Sequence, residues 1–162
     1  MCRVAQPFFI RVAGRGTTRD GGKDGRPAVG SISNVTIEKV RVLATHHQTA
    51  SSSTITACKE GVIKNIRFKD IYIEMPGGVA KARALARVDD HGYPQSNIFG
   101  DAPGYGFFVQ HAENVTLEDV SVGYAKADVR PWLSVDHASV QSTRCMDLKK
   151  IPLAPLPSWV GR

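Results

Sequence analysis

An eleven-residue pattern occurs three times in this chain and restricts its fold more than any other feature. Asn34 to Ala44 reads N-V-T-I-E-K-V-R-V-L-A, Asn65 to Met75 reads N-I-R-F-K-D-I-Y-I-E-M, and Asn114 to Tyr124 reads N-V-T-L-E-D-V-S-V-G-Y. Counted from each Asn, apolar residues stand at offsets +1, +3, +6 and +8. On a helix advancing roughly 100° per residue these offsets scatter over two separate faces rather than one stripe. Two short runs of alternation with a one-residue slip between them account for the pattern: a strand, a corner, then a second strand. The slip falls on polar dipeptides, Glu38-Lys39, Lys69-Asp70 and Glu118-Asp119, as an exposed bend requires.

A β-rich segment precedes each copy: Phe8 to Val12, Ser53 to Ala57 and Gly106 to Gln110. Three strands per repeat, joined by loops of variable length, predict an all-β fold, a right-handed parallel β-helix of about three to four coils sharing one core. Spacings of 31 and 49 residues between the copies fit coils that carry different loops. The Asn that opens each copy is expected to stack on its counterparts as a side-chain amide ladder. Three unrelated hairpins in a β-sandwich are the plainer alternative.

A chain of 162 residues suffices for one domain that buries roughly 70% of its unfolded surface. No apolar run approaches the ~20 residues of a membrane span, so no membrane association is expected. Residues 1–11 show no apolar core with a small-residue cleavage site, hence no signal peptide. The three cysteines, Cys2, Cys58 and Cys145, have no metal-ligand spacing and cannot form a complete disulfide set. The formal net charge of +6 suits an acidic partner. Its cations are scattered, without an RNA-binding fingerprint, zinc finger or basic helix, which argues against nucleic acid.

The glycines of 13–30 lack the G-x-x-x-x-G-K-[ST] spacing of a phosphate loop, so this stretch reads as an exposed loop. A long insertion, Pro76 to Gly104, includes helix-forming residues from Val79 to Val88 and turn signals at Gly92-Tyr93-Pro94. Trp132 to Val135 is expected to begin a fourth coil. Residues 1–144 are thus assigned to coils and 145–162 to a Pro-rich tail that wraps an end or frays.

In this order the chain resembles the C-terminal part of a polygalacturonase-like enzyme of glycoside hydrolase family 28. The resemblance is carried by P-F-F-I-R-V-A-G-R-G (7–16), G-S-I-S-N-V-T-I-E-K-V (30–40), G-V-I-K-N-I-R-F-K-D-I (61–71), G-Y-P-Q-S-N-I-F-G (92–100), P-G-Y-G-F-F-V-Q-H-A-E-N-V-T-L-E-D-V (103–120) and D-V-R-P (128–131). It implies a pectin-lyase-like solenoid, inverting hydrolysis of a pectin-type polysaccharide, no cofactor, and secretion or periplasmic export of a full-length protein. Inversion needs an acid and a base on opposite sides of the sugar, with room for a water. The family motifs that supply them and grip the uronate, N-x-D, D-D, G-H-G and R-I-K, precede the stretch that resembles residues 7–16. None is present here, so no catalytic residue is assigned.

Several local likenesses are set aside. Asp89-Asp90-His91-Gly92 lies in the long insertion and reads as an exposed acidic turn. Arg67-Phe68-Lys69 mimics R-I-K but aligns with Thr36-Ile37-Glu38 and Thr116-Leu117-Glu118, which makes it ordinary repeat surface. His46-His47 has no metal spacing, so no metal is expected. His111 matches a family position and is read as a structural hydrogen-bonding residue. Gln110 stands where the bacterial branch commonly has Arg, and Gln95 where Glu is common. Arg11 and Arg15 are the candidate contacts to a uronate carboxylate by a bidentate pair, although an arginine that holds the 13–30 loop is the favoured, plainer reading. Arg130 is expected to brace a turn with Asp128.

The chain is therefore expected to have little or no hydrolase activity alone, with acidic polysaccharide and the missing N-terminal coils as its expected partners. Two other readings compete: a non-catalytic glycan-binding or structural β-helix module, and a truncated gene product. Met1 is expected to lie inside a strand, so the first coil is expected to present an unpaired apolar end.

Overall fold

A computed structural model of the chain describes residues 4, 6–14, 29–44, 52–81 and 101–150. Among the described residues the secondary structure is all β, with no helix. The strands are β1 (Phe9–Val12), β2 (Ser31–Leu43), β3 (Ser53–Ala57), β4 (Val62–Gly77), β5 (Phe107–Gln110), β6 (Glu113–Lys126), β7 (Leu133–Asp136), β8 (Val140–Thr143) and β9 (Met146–Lys150). β1, β3, β5 and β7 form one parallel sheet in that order. The second sheet runs β2-β4-β6-β8, also parallel, with β9 on β6. From β1 to β8 the chain thus alternates between the two sheets and adds each new strand beside the last of its kind.

The three copies of the repeat lie side by side, offset for offset. Val35 pairs with Ile66 and Ile66 with Val115, and Val42 pairs with Ile73 and Ile73 with Val122. Each copy is one long strand, and the expected corner is a single left-handed residue within it: Lys39 (φ 57°), Asp70 (φ 52°) and Asp119 (φ 51°). One residue of positive φ shifts the alternation by one position, which is why +1 and +3 share an inward face with +6 and +8. The opening asparagines are also left-handed, a conformation that Asn tolerates better than most side chains. Their amides form the expected ladder: Asn114 Nδ2 donates to Asn65 Oδ1 at 2.9 Å, and Asn65 Nδ2 to Asn34 Oδ1 at 2.8 Å.

Between the sheets lies one core. Ile66, Phe68, Ile71 and Ile73 of β4 and Val115, Leu117, Val120 and Val122 of β6 are all buried, and they meet Ile55, Phe107 and Val109 of the other sheet. Phe68 stands edge-on to Phe107 at 5.3 Å and tilted against Phe8 at 5.1 Å, tying the sheets together through aromatic contacts. The same offsets in β2 (Val35, Ile37, Val40, Val42) are only half-buried, so the apolar surface expected at the first copy is present.

A fourth copy follows β7, at the place where a fourth coil was expected to begin, and runs on past Cys145, where the sequence was expected to lose regularity. β8 pairs with the first half of β6 and β9 with the second, and Arg144 between them is left-handed at φ 53°. Its offsets, read from Ser139, are Val140, Ser142, Cys145 and Asp147. Two of the four are polar, which hides the repeat from an apolar pattern. At the last of these positions Tyr105 OH donates to Asp147 Oδ1 at 2.5 Å. Residues 146–150 are therefore strand rather than tail, while 151–162 lie outside the described residues, as does most of Val79 to Val88.

Candidate functional site

Arg11, one of the two candidate carboxylate contacts, opens a row of polar residues across the β1-β3-β5-β7 sheet. Register alone sets the row: Arg11 of β1 pairs with Thr56 of β3, Thr56 with Gln110 of β5, and Gln110 with Asp136 of β7. Alternation turns these residues away from the core, while Ile10, Ile55 and Val109 fill the inward row beside them. Thr56 Oγ1 donates to Gln110 Oε1 at 3.3 Å, and Gln110 Nε2 donates to Asp136 Oδ2 at 2.8 Å. The second carboxylate oxygen, Asp136 Oδ1, lies 2.6 Å from His137 Nδ1. The Gln110 hydrogen bond, seconded by His137, holds the Asp136 carboxyl below the usual carboxylate range.

Neighbouring side chains fit this picture of a sheet face occupied by hydrogen bonds. Gln6 Nε2 donates to Thr54 Oγ1 at 3.0 Å and to Ser52 O at 2.6 Å. Thr54, Thr56 and Phe108, the centre of the face, are buried. Only its margins are accessible: Arg11 at one end, and Asp136 with the exposed rings of His111 and His137 at the other. Those two rings lie 5.4 Å apart. His111 makes its hydrogen bond through the backbone, its N–H donating to Asp136 O at 3.2 Å, because a φ of 50° turns the ring outward. The structural role expected of it is thus carried by the main chain.

At its near end Arg11 borders an apolar hollow of about 390 Å³ between β1 and β2, lined also by Phe9, Ile10, Ile32, Val35 and Ile37. Arg15, the other candidate contact, lies outside the described residues, as do His46-His47 and Asp89-Asp90-His91-Gly92. Arg67 and Lys69 sit on the solvent face as read from the repeat. Arg67 is ion-paired with Glu118, and Lys69 stands in register between Glu38 and Glu118. Arg144 donates to Asp119 Oδ1 at 2.5 Å and to Glu118 Oε1 at 2.8 Å, and the first of these bonds holds Asp119 below its usual range.

Arg130 fulfils its expected role. Its guanidinium forms a bidentate pair with Asp128, both bonds at 2.9 Å, and donates at 3.0 Å to Ala102 O. Both side chains of this pair are buried. Asp128, Asp136, Asp119 and Asp70 each accept from a specific partner. The row sets a guanidinium, a hydroxyl, an amide and a carboxylate in one register across four strands. Among the described residues no group of three or more His, Cys, Asp or Glu is placed to hold a metal, and no helix is long and apolar enough to cross a membrane.

Asp136 and His137 were not singled out from the sequence, although a signal for them exists. Phe107-Phe108-Val109-Gln110-His111 and Leu133-Ser134-Val135-Asp136-His137 share Val at the third position and His at the fifth, and their first four residues pair in register. Comparison with protein-family models, with curated proteins and with solved structures finds no match for this chain.

Proposed function

We propose that this chain is a right-handed parallel β-helix of the polygalacturonase-like kind, the C-terminal part of a glycoside hydrolase acting on a pectin-like polysaccharide. In this reading its coils serve as scaffold and substrate contact, and the acid–base pair comes from residues this chain does not contain. The observation that carries the reading is the offset-for-offset stacking of the three repeats with their asparagine amides in one line. Parallel strands that return to one sheet do so almost always with a right-handed crossover, which supports the hand. Arg11, at the accessible margin of the polar row, is the contact assigned to a uronate carboxylate, which a guanidinium binds in a bidentate fashion.

A second reading, a non-catalytic module that binds acidic glycans, is favoured by one feature: Asp136, the carboxylate of the row, is already bonded on both oxygens. One experiment tests both. The purified chain should release no reducing ends from polygalacturonate, should be retained on a polyuronate column in a salt-sensitive way, and should lose retention on Arg11→Ala. Release of reducing ends would refute the assignment of chemistry elsewhere. Retention indifferent to Arg11→Ala would remove Arg11 from the contact.

A further inference from the structure

The far margin of the polar row carries two imidazoles that the glycan reading does not use. Register brings them together: Gln110 of β5 pairs with Asp136 of β7, and each strand then passes into a histidine. Both histidines are left-handed, His111 at φ 50° and His137 at φ 47°. The two residues leave their strands in the same way, and both are exposed. One coil back, Thr56 is followed by Ala57, which is buried, so the imidazole pair belongs to these two adjacent coils. Three features indicate what the pair can hold.

The first is separation. The ring centres lie 5.4 Å apart, with the planes tilted by 32°. Two imidazoles that share one tetrahedral zinc, at Zn–N distances of about 2.0–2.1 Å, have ring centres about 5 Å apart. The rings are exposed, so each can rotate to turn a nitrogen toward a shared ion while its strand stays in place. His111 makes its hydrogen bond through the backbone N–H, which leaves its ring for the ion.

The second feature is the support behind one ring. His137 Nδ1 lies 2.6 Å from Asp136 Oδ1, and Asp136 Oδ2 accepts from Gln110 Nε2 at 2.8 Å. A carboxylate beside Nδ1 keeps the proton on that nitrogen, so the lone pair is on Nε2, where a metal can take it. Metal-bound histidines are oriented by a contact of this kind, with the carboxylate itself hydrogen-bonded in turn. Thr56 Oγ1 donates to Gln110 Oε1 at 3.3 Å, which carries the support one strand further into the sheet.

The third feature is the donor set. Imidazole nitrogens suit zinc, copper and nickel, whereas magnesium and calcium take several oxygens. A second imidazole, rather than a hydroxyl or thiol, faces His137, which favours a shared ion over activation of a nucleophile. Among the described residues no third His, Cys, Asp or Glu completes a ligand group, so the remaining positions on the ion fall to water or to an oxygen of a bound molecule.

We propose that His111 and His137 together bind a divalent transition-metal ion of the zinc type, with Asp136 and Gln110 orienting His137 from behind. The inference uses neither Arg11 nor the glycosidase reading. Calorimetric titration of the full chain with Zn²⁺ alone tests it, with Mg²⁺ as the comparison, and binding is expected for Zn²⁺ only. His111→Asn and His137→Asn each remove one imidazole but keep a side chain that tolerates the left-handed backbone, and each should weaken zinc binding at least about tenfold. Asp136→Ala leaves both rings in place and should still cost about tenfold or more, as loss of an outer partner of a metal-bound histidine does. Melting curves followed by circular dichroism report separately on whether each variant folds, and zinc should raise the melting temperature of the original chain more than that of any variant. Zinc held elsewhere, as by His46-His47, would persist in the variants. No zinc binding, equal binding of Mg²⁺, or zinc binding indifferent to any one of the three substitutions would each overturn the proposal. Polyuronate retention is read with a chelator present, so failure of the metal site and failure of the glycan reading are distinguishable.

Discussion

The Arg130–Asp128 pair shows how one residue holds two segments of chain in place. The guanidinium is anchored to the carboxylate and to the carbonyl of Ala102, and both charges are out of water. Arg130→Met leaves a buried carboxylate without its counter-charge, a change that costs about 3–5 kcal/mol. Denaturant unfolding should show this loss, and Asp128→Leu/Arg130→Met should be milder than Arg130→Met alone. Tyr105 sets the alkaline limit. Burial, with the hydrogen bond to Asp147 second, pushes its phenol far above the ordinary value. Since an unfolded tyrosine ionises near pH ~10, folding favours the protonated form: stability is flat below about pH 9 and falls as the pH rises past about 10. Thermal melts across that range should show the decline, and Tyr105→Phe should reduce its slope. Tyr72, also raised by burial and by Glu74, keeps part of the slope in that variant.

At the scale of the strand, the left-handed residues decide which side chains face the core. Asn65 is left-handed at φ 56° and sits between two amide partners. Asn65→Ala removes two hydrogen bonds and forces an unfavourable backbone conformation on alanine, a loss of about 2–4 kcal/mol. Asn65→Gly removes the bonds but accepts the conformation, so its melting temperature should fall between those of the original chain and the alanine variant. These elements were legible in the sequence because each copy repeats both its apolar offsets and its opening Asn. β1, β3 and β5 were legible for the same reason, as β-rich segments recurring ahead of each copy. β9 was not, because Met146-Asp147-Leu148-Lys149-Lys150 lies on a sheet edge and is placed by backbone pairing to β6 rather than by apolar alternation. The polar row was hidden for a different reason. Arg11, Thr56, Gln110 and Asp136 are far apart in the chain and belong to three residue classes. Only the register of four strands brings them together.

Across the whole molecule each strand of the long-strand sheet pairs, within that sheet, only with the copies before and after it, so stability depends on having neighbours on both sides. β4 and β6 have them and carry the buried core, while β2 and the β8–β9 pair lie at the ends. Amide hydrogen exchange in dilute solution should therefore be slowest at Ile66 to Ile73 and Val115 to Val122, and faster in β2 and β9. Uniform protection across the four copies would contradict this ordering. The column of left-handed corners at Lys39, Asp70, Asp119 and Arg144 has one more consequence. Each corner sets the inward phase of its own strand afresh, so an error in the length of the intervening chain is not passed on. The spacings of 31 and 49 residues already show that tolerance at work. The fold thus behaves like a bookshelf with fixed uprights, in which new material can be inserted between copies while the shelves stay level.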